Sequence, residues 1–175
     1  MNEIKQPKIL IAGVGNELRM DDAFGVVLAK KLSDEHALPE NVKVLEIGSG
    51  GISLVQELYD HYDILLILDI VMWGGEAGTV YLKEIEVKDV RQLPDDEKNE
   101  FFADMHYISP LRALMMAKAL DIIPEKVLFL GCESSAHEEI GIGLSPAVSN
   151  AMPVALRKVM DWIQSVSKSE IVLEK

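Results

Sequence analysis

The 175-residue sequence has one cysteine, few aromatic residues (6%) and fewer basic than acidic residues, with 17 Lys and Arg against 29 Asp and Glu. A single cysteine excludes an internal disulfide and favours a reducing compartment, so we expect a cytoplasmic protein. The net charge of −12 argues against binding to nucleic-acid phosphates and to anionic membrane surfaces.

Long apolar segments are also missing. No apolar run approaches the roughly 20 residues that cross a bilayer, and the polar residues 1–6 do not resemble a secretory signal. A hydrophobic content of 49% with 26% charged residues is typical of a folded globular chain. The length corresponds to about one domain. We predict a soluble domain over residues 1–165 and a C-terminal tail over residues 166–175.

Short apolar runs separated by segments with helical spacing predict the fold. Four runs have the character of buried parallel strands: Lys8–Val14, Val42–Ile47, Ile64–Ile70 and Lys126–Cys132. Strands that alternate with helices imply right-handed crossovers. The prediction is an α/β three-layer sandwich, with a mainly parallel twisted sheet of about five strands and helices on both faces.

Three segments carry more specific expectations. Residues 78–82 follow the third strand too closely for a crossover helix, so we expect an added antiparallel strand. The polar residues 88–104 and 133–139 are expected to be solvated loops. Pro153 lies within the last helical segment, which begins near Ser145-Pro146, and should either kink that helix or delay its start.

The first candidate site motif is Gly13-Val-Gly15-Asn16, which ends the first strand and precedes Asp21 and Asp22. A dinucleotide-binding turn needs a third glycine where this chain has Leu18. Two carboxylates at a helix start also repel phosphate and favour a cation. We therefore interpret Asp22 as the functional carboxylate and Asp21 as a helix cap, and keep a nucleotide-binding Rossmann-like domain only as an alternative.

Asp69 and His106 are the other candidates. Asp69 closes an apolar strand, where a carboxylate is costly without a partner or a metal, although it could also be a turn residue. His106 comes shortly before a helix start at Ser109-Pro110, and by itself would be an ordinary loop histidine. Two carboxylates and an imidazole suit Zn²⁺ or Ni²⁺ with coordination positions left open. Spacing alone does not decide between a metal site and ordinary turn and loop residues.

Nucleophilic chemistry is weakly indicated. Cys132 ends an apolar strand, as a small buried hydrophobic residue would. The sequence contains no Gly-x-Ser-x-Gly elbow, Walker A motif, CxxC pair or HExxH motif.

Taken in order, these motifs resemble those of the hydrogenase maturation endopeptidases, from Ile9 to about Ile163. Gly13 to Gly25 is similar to that family's GxGN…D(D/E)xxG signature. The other similar segments are Glu46–Gly51 after the second strand, Leu68-Asp69, Gly75–Thr79, His106 before Ser109-Pro110, and Gly143–Pro146. Glu46-Ile47 departs from the aspartate and glycine that many relatives carry there.

The resemblance implies a function and a set of site residues. Asp22, Asp69 and His106 would bind the nickel already inserted in the large-subunit precursor of a nickel–iron hydrogenase, and zinc or cadmium could replace nickel in crystals. The enzyme, grouped with aspartic-type endopeptidases, would then remove a short C-terminal extension of that precursor. Asp22 and Asp69 are the predicted catalytic residues, and the sequence is compatible with either a metal-activated water or a carboxylate base. A metal-binding chaperone that does not cut the precursor is the main alternative.

Overall fold

A computed structural model describes residues 6–98, 109–135 and 139–168. Five strands form one sheet in the order β2-β1-β3-β5-β4. The strands are β1 (Ile9–Val14), β2 (Val42–Gly48), β3 (Ile64–Val71), β4 (Val80–Glu84) and β5 (Lys126–Glu133). All pairings are parallel except that of β4, which runs antiparallel to β5. The predicted five-stranded sheet and its added antiparallel strand are confirmed.

Helices cover both faces of this sheet. The helices are α1 (Phe24–Glu35), α2 (Ile52–Leu58), α3 (Pro110–Ala119) and α4 (Pro146–Lys168), with 3₁₀ turns at Met20–Ala23 and Val90–Gln92. Because successive side chains of a strand point to opposite faces, the two core layers divide β1. Ile9 and Ile11 pack with residues of α1 and α4, whereas Leu10 and Ala12 pack with residues of α2 and α3. Within the described residues, no helix is long and apolar enough to cross a bilayer.

The polar segment 88–104 differs in part from the expected solvated loop. Its described portion contains the Val90–Gln92 turn and helical residues at 95–98. Val87 and Val90 are buried in the core layer beside α2 and α3, so two valines anchor a segment whose average composition is polar. The expectation of a loop is wrong for this portion, and residues 99–104 lie outside the described residues.

The last helix begins where Ser145-Pro146 indicated. Ser145 Oγ accepts a hydrogen bond from the Val148 N–H at 3.4 Å, as in an N-cap. Pro153 lies inside this helix and therefore does not delay its start. The helix continues to Lys168, beyond the domain boundary expected at residue 165, and the remainder of the expected tail lies outside the described residues.

A close backbone contact places the start of α1 against the sheet. A Cβ atom on Gly25 would lie 2.0 Å from the Leu68 carbonyl oxygen and 2.3 Å from that of Val14. Only glycine allows this approach, because any larger residue would clash with fixed backbone atoms. The contact sets the first turn of α1 over the carboxyl ends of β1 and β3. It also brings residues 15–22 to the edge of the sheet where Asp69 lies.

We predict that Gly25→Ala lowers the free energy of unfolding by about 3 kcal/mol or more, because the new methyl group has no space and its neighbours are backbone atoms. Gly50→Ala is the matched control, since a Cβ there meets nothing within 4 Å. It should change stability by less than about 0.5 kcal/mol. Urea unfolding followed by circular dichroism measures both, and equal stabilities for the two variants would contradict the packing argument.

Candidate active site

The glycine turn after β1 closes onto Asp22. Gly15 has a φ of 132°, and a Cβ there would lie 1.6 Å from the Asp22 carbonyl oxygen. The Asn16 N–H donates both to this carbonyl oxygen at 3.2 Å and to Asp22 Oδ2 at 3.0 Å. The turn therefore uses its backbone N–H to fix a carboxylate. A phosphate is what such an N–H would bind in a dinucleotide site.

Asp22 is held at one oxygen only. Its Oδ2 accepts the Asn16 N–H, while no described residue donates a hydrogen bond to its Oδ1. The Asn16 side chain is used locally, since its Oδ1 accepts the Leu18 N–H at 3.0 Å. The partly buried carboxylate thus has a fixed orientation and one oxygen available to a ligand.

Asp69 has a similar arrangement on β3. It lies beside Gly131 of β5, and its Oδ1 accepts the Ile70 N–H at 2.8 Å. Burial and, to a smaller extent, the negative charge of Asp22 raise the pKa of Asp69 to about 7, against the opposing effect of the Ile70 hydrogen bond. The structure therefore brings Asp22 and Asp69 to the same edge of the sheet, where the charge of Asp22 acts on Asp69, and their role in metal binding and catalysis stays a prediction.

His106 lies within residues 99–108, outside the described residues, so its predicted place in the site stays a prediction. Ser109 Oγ accepts the Arg112 N–H at 3.4 Å and caps α3, which confirms the helix start predicted just after His106. Because α3 leads into the parallel strand β5, its amino end lies at the carboxyl edge of the sheet. Among the described residues, no cluster of three or more His, Cys, Asp or Glu side chains could hold a metal.

Asp21 has a structural role that differs from the predicted helix cap. It is fully buried, and its carboxylate accepts the Ser134 hydroxyl (2.7 Å), the Ser145 N–H (2.7 Å) and the Ser145 hydroxyl (2.9 Å). The expectation that it caps its own helix is wrong, because no side chain caps that turn. Asp21 instead ties the turn to the residues that follow β5 and to the start of α4.

Two buried residues, Cys132 and Glu133, end β5. Cys132 is fully buried, and burial, followed by the charges of Asp21 and Glu133, raises its pKa to about 11. Such a thiol is a poor nucleophile at neutral pH, which agrees with its predicted role as a core residue. Glu133 is also buried, although the sequence analysis placed it at the start of a solvated loop. Its position at the end of a buried strand was the signal that could have identified it.

Comparison with known proteins identifies the family. The model of the hydrogenase maturation protease family HycI matches residues 26–162, which is more than half of the chain. The chain belongs to the hydrogenase maturation protease family. The predicted family is thus confirmed, and with it an endopeptidase role in hydrogenase maturation. The nucleotide-binding and chaperone alternatives are not favoured.

Individual relatives agree along most of the chain. Hydrogenase expression/formation protein HupD of Rhodobacter capsulatus is 27% identical over 180 residues, covering 98% of this chain and 80% of that protein. A putative hydrogenase maturation protease of Methanocaldococcus jannaschii is 30% identical, with coverages of 92% and 99%. The structure of the E. coli hydrogenase maturating endopeptidase HybD superposes with a TM-score of 0.69 at 25% identity, with coverages of 90% and 93%. The α/β fold is shared.

The two neighbouring aspartates should respond differently to the same change. We predict that Asp21→Asn lowers the free energy of unfolding by about 2–4 kcal/mol, because an amide presents N–H groups to donors that need an acceptor. Asp22→Asn should cost less than about 1 kcal/mol, since its amide oxygen can still accept the Asn16 N–H. Chemical denaturation of both variants measures this difference, and a larger loss for Asp22→Asn would reverse the assignment.

The raised pKa of Asp69 makes the stability of the metal-free protein depend on pH. The unfolded chain releases this proton near pH 4 and the folded chain near pH 7, so stability should fall as the pH rises through this interval. Asp69→Asn should remove the fall and be more stable than wild type at pH 8, by up to about 4 kcal/mol and by less where water reaches the carboxylate. Urea titrations between pH 4 and 8 measure it. The exposed Asp34→Asn is the control and should keep the wild-type profile.

Proposed function

We propose that this protein recognises nickel in the large-subunit precursor of a nickel–iron hydrogenase and then removes the C-terminal extension of that precursor. The observation that supports this proposal most directly is the pair of carboxylates at the carboxyl edge of the sheet. Asp22 and Asp69 are each fixed through one oxygen, and each leaves its other oxygen without a described donor. Family membership supplies the class of reaction.

The charge of the pair favours a cation. The charge of Asp22 raises the pKa of Asp69, and a positive ion between the two carboxylates would relieve this repulsion and lower the pKa of Asp69. Free oxygens from Asp22 and Asp69, together with an imidazole nitrogen from His106, form a ligand set suited to Ni²⁺ or Zn²⁺. Nickel belongs to the substrate in this scheme, and further ligands would come from the precursor. Zinc or cadmium would serve as substitutes in binding experiments.

Asp69 also has the properties of a general base. A catalytic base works best when its pKa is near the working pH, and the pKa of Asp69 is about 7 in the metal-free protein, so this role requires that Asp69 does not ligate the nickel during the proton transfer. It would take a proton from the water that attacks the scissile carbonyl, while Asp22 stays fixed by the Asn16 N–H. A nickel ion held at the same edge would polarise that carbonyl. Measuring metal binding and cleavage separately distinguishes these two roles of Asp69.

Partner and compartment follow from the same scheme. We infer that the protein works in the cytoplasm, where its single thiol stays reduced, on a precursor that has not yet been completed. The segments that follow β1, β3 and β5 leave the sheet at the same edge as the carboxylates, and we infer that they receive the precursor chain.

We predict that Asp22→Ala, Asp69→Ala and His106→Ala each lower the rate of precursor cleavage by about a hundredfold or more, because each removes a contact to the metal or the base. The fold should persist, since the two aspartates lie at the edge of the core. Incubation with nickel-loaded precursor and gel analysis of the shortened product gives the rate, and circular dichroism checks the fold.

A matched control separates a loss of ligand from a general loss of histidine. His61→Asn changes an exposed residue at the other end of the sheet and should leave cleavage unchanged. Isothermal titration with nickel should show weaker binding to His106→Ala and unchanged binding to His61→Asn. If wild type binds the nickel-loaded precursor without shortening it, the protein is a chaperone and the proposed cleavage is wrong.

A further inference from the structure

Glu133 is a buried carboxylate that the proposed reaction does not use. It ends β5 beside Val71 of β3, and only 3% of it is exposed. Its Oε1 accepts the Gly74 N–H at 2.8 Å, and its Oε2 has no partner among the described residues. Burying such a group is costly, and within the part of the chain described no basic residue forms an ion pair with it. This cost indicates that the Glu133 carboxylate has a specific role in the protein.

The segment held by Glu133 is the turn of residues 72–75, hereafter the Trp73 turn. It follows β3 directly and begins three residues after Asp69. Met72 is 59% and Trp73 51% exposed, which is unusual for two large apolar side chains next to each other. Trp and Met are enriched where proteins bind other chains. The turn therefore presents an apolar surface beside the catalytic carboxylates.

The underside of the Trp73 turn is fixed. The rings of Trp73 and Tyr81 are 5.1 Å apart, and Lys83 Nζ lies 4.6 Å from the Trp73 ring. A Cβ on Gly75 would lie 2.2 Å from the Tyr81 hydroxyl oxygen and 3.3 Å from Glu133 Oε2. The backbone of the turn thus rests directly on Tyr81 and Glu133. Despite these contacts, Trp73 stays about half exposed, next to the exposed Met72.

We propose that Glu133 is a positioning residue, which holds the Trp73 turn so that Met72 and Trp73 bind the precursor polypeptide beside the scissile bond. This inference rests on the proposed function. A residue in extended conformation spans about 3.4 Å, so a chain bound at Asp69 reaches the turn within about three residues. The occupant is therefore an extended apolar segment of the precursor next to the cleaved bond.

The position of Glu133 argues against a direct role in metal binding. Its register partner is Val71, whereas that of Asp69 is Gly131. Glu133 therefore lies two residues beyond the level of Asp69 in the direction in which the strands run. One of its oxygens is already used by Gly74. It acts through the turn it holds, and its loss should weaken substrate binding while leaving the chemical step intact.

Tryptophan fluorescence tests the first half of the proposal. The chain has two tryptophans, so in a Trp162→Phe background the emission comes from Trp73 alone. Glu133→Gln keeps an amide oxygen for the Gly74 N–H and should retain the wild-type anisotropy. Glu133→Leu lacks the acceptor and should lower the anisotropy. Equal anisotropy in all three proteins would overturn the positioning role.

Steady-state cleavage of the nickel-loaded precursor tests the second half. Glu133→Leu and Trp73→Ala should each raise KM about tenfold, the effect expected of one interface anchor, with kcat within about twofold of wild type. Glu133→Gln should remain near wild type. Tyr59→Ala removes an equally exposed aromatic residue (55%) at the opposite edge of the sheet and should change neither constant.

Other outcomes decide against the inference or separate it from the proposed function. A large fall in kcat in both Glu133 variants at unchanged KM would make Glu133 catalytic and overturn it. If Glu133→Leu does not fold, Trp73→Ala and Met72→Ala decide, and an unchanged KM in both overturns it. If wild type binds but does not cut the labelled precursor, the proposed function fails. In that case the affinity for the precursor decides about the inference. A tenfold weaker affinity of Trp73→Ala than of wild type would still support it, and an equal affinity would overturn it.

Discussion

The backbone contact between the start of α1 and the ends of β1 and β3 is the constraint on which the site depends. Gly25 lets the helix sit on the carbonyl groups of Val14 and Leu68, and Gly15 lets the intervening turn fold back onto Asp22. A side chain at either position would push this turn away from the sheet. The turn that contains Gly15 resembles a nucleotide-binding motif, but here it brings the Asp22 carboxylate close to Asp69.

Asp21 and Asp22 show how adjacent residues of the same type divide into structural and chemical roles. Asp21 is fully buried, and all described hydrogen-bond donors to its carboxylate come from Ser134 and Ser145, which lie more than 110 positions away in the chain. Asp22 keeps one oxygen without a described donor. Asp21 thus fixes the turn rigidly enough for Asp22 to be presented in one orientation. A flexible turn would let Asp22 move away from Asp69, whose negative charge repels it.

The electrostatics of the site are asymmetric. No described Lys or Arg side chain forms an ion pair with Asp22 or Asp69, so their repulsion is not compensated within the described residues. Burial, together with this repulsion, raises the pKa of Asp69, and a cation that entered the site would relieve the repulsion. A protein that obtains this cation from its substrate would acquire its full site only on binding, which links recognition to the state of the precursor.

The sequence by itself determined the layers, the parallel sheet, the added antiparallel strand and the two aspartates at its edge. Apolar runs, helical spacing and the residue type at a strand end are local properties, and local properties can be read without a fold. Tertiary structure alone decided that residues 88–98 are anchored by Val87 and Val90. It also decided that the Asp21 carboxylate binds Ser145 at the start of α4, and that Glu133 is buried under the Trp73 turn. Each depends on contacts between segments far apart in the chain. The local sequence places Glu133 at the end of an apolar strand, but the burial of its side chain is set by those contacts.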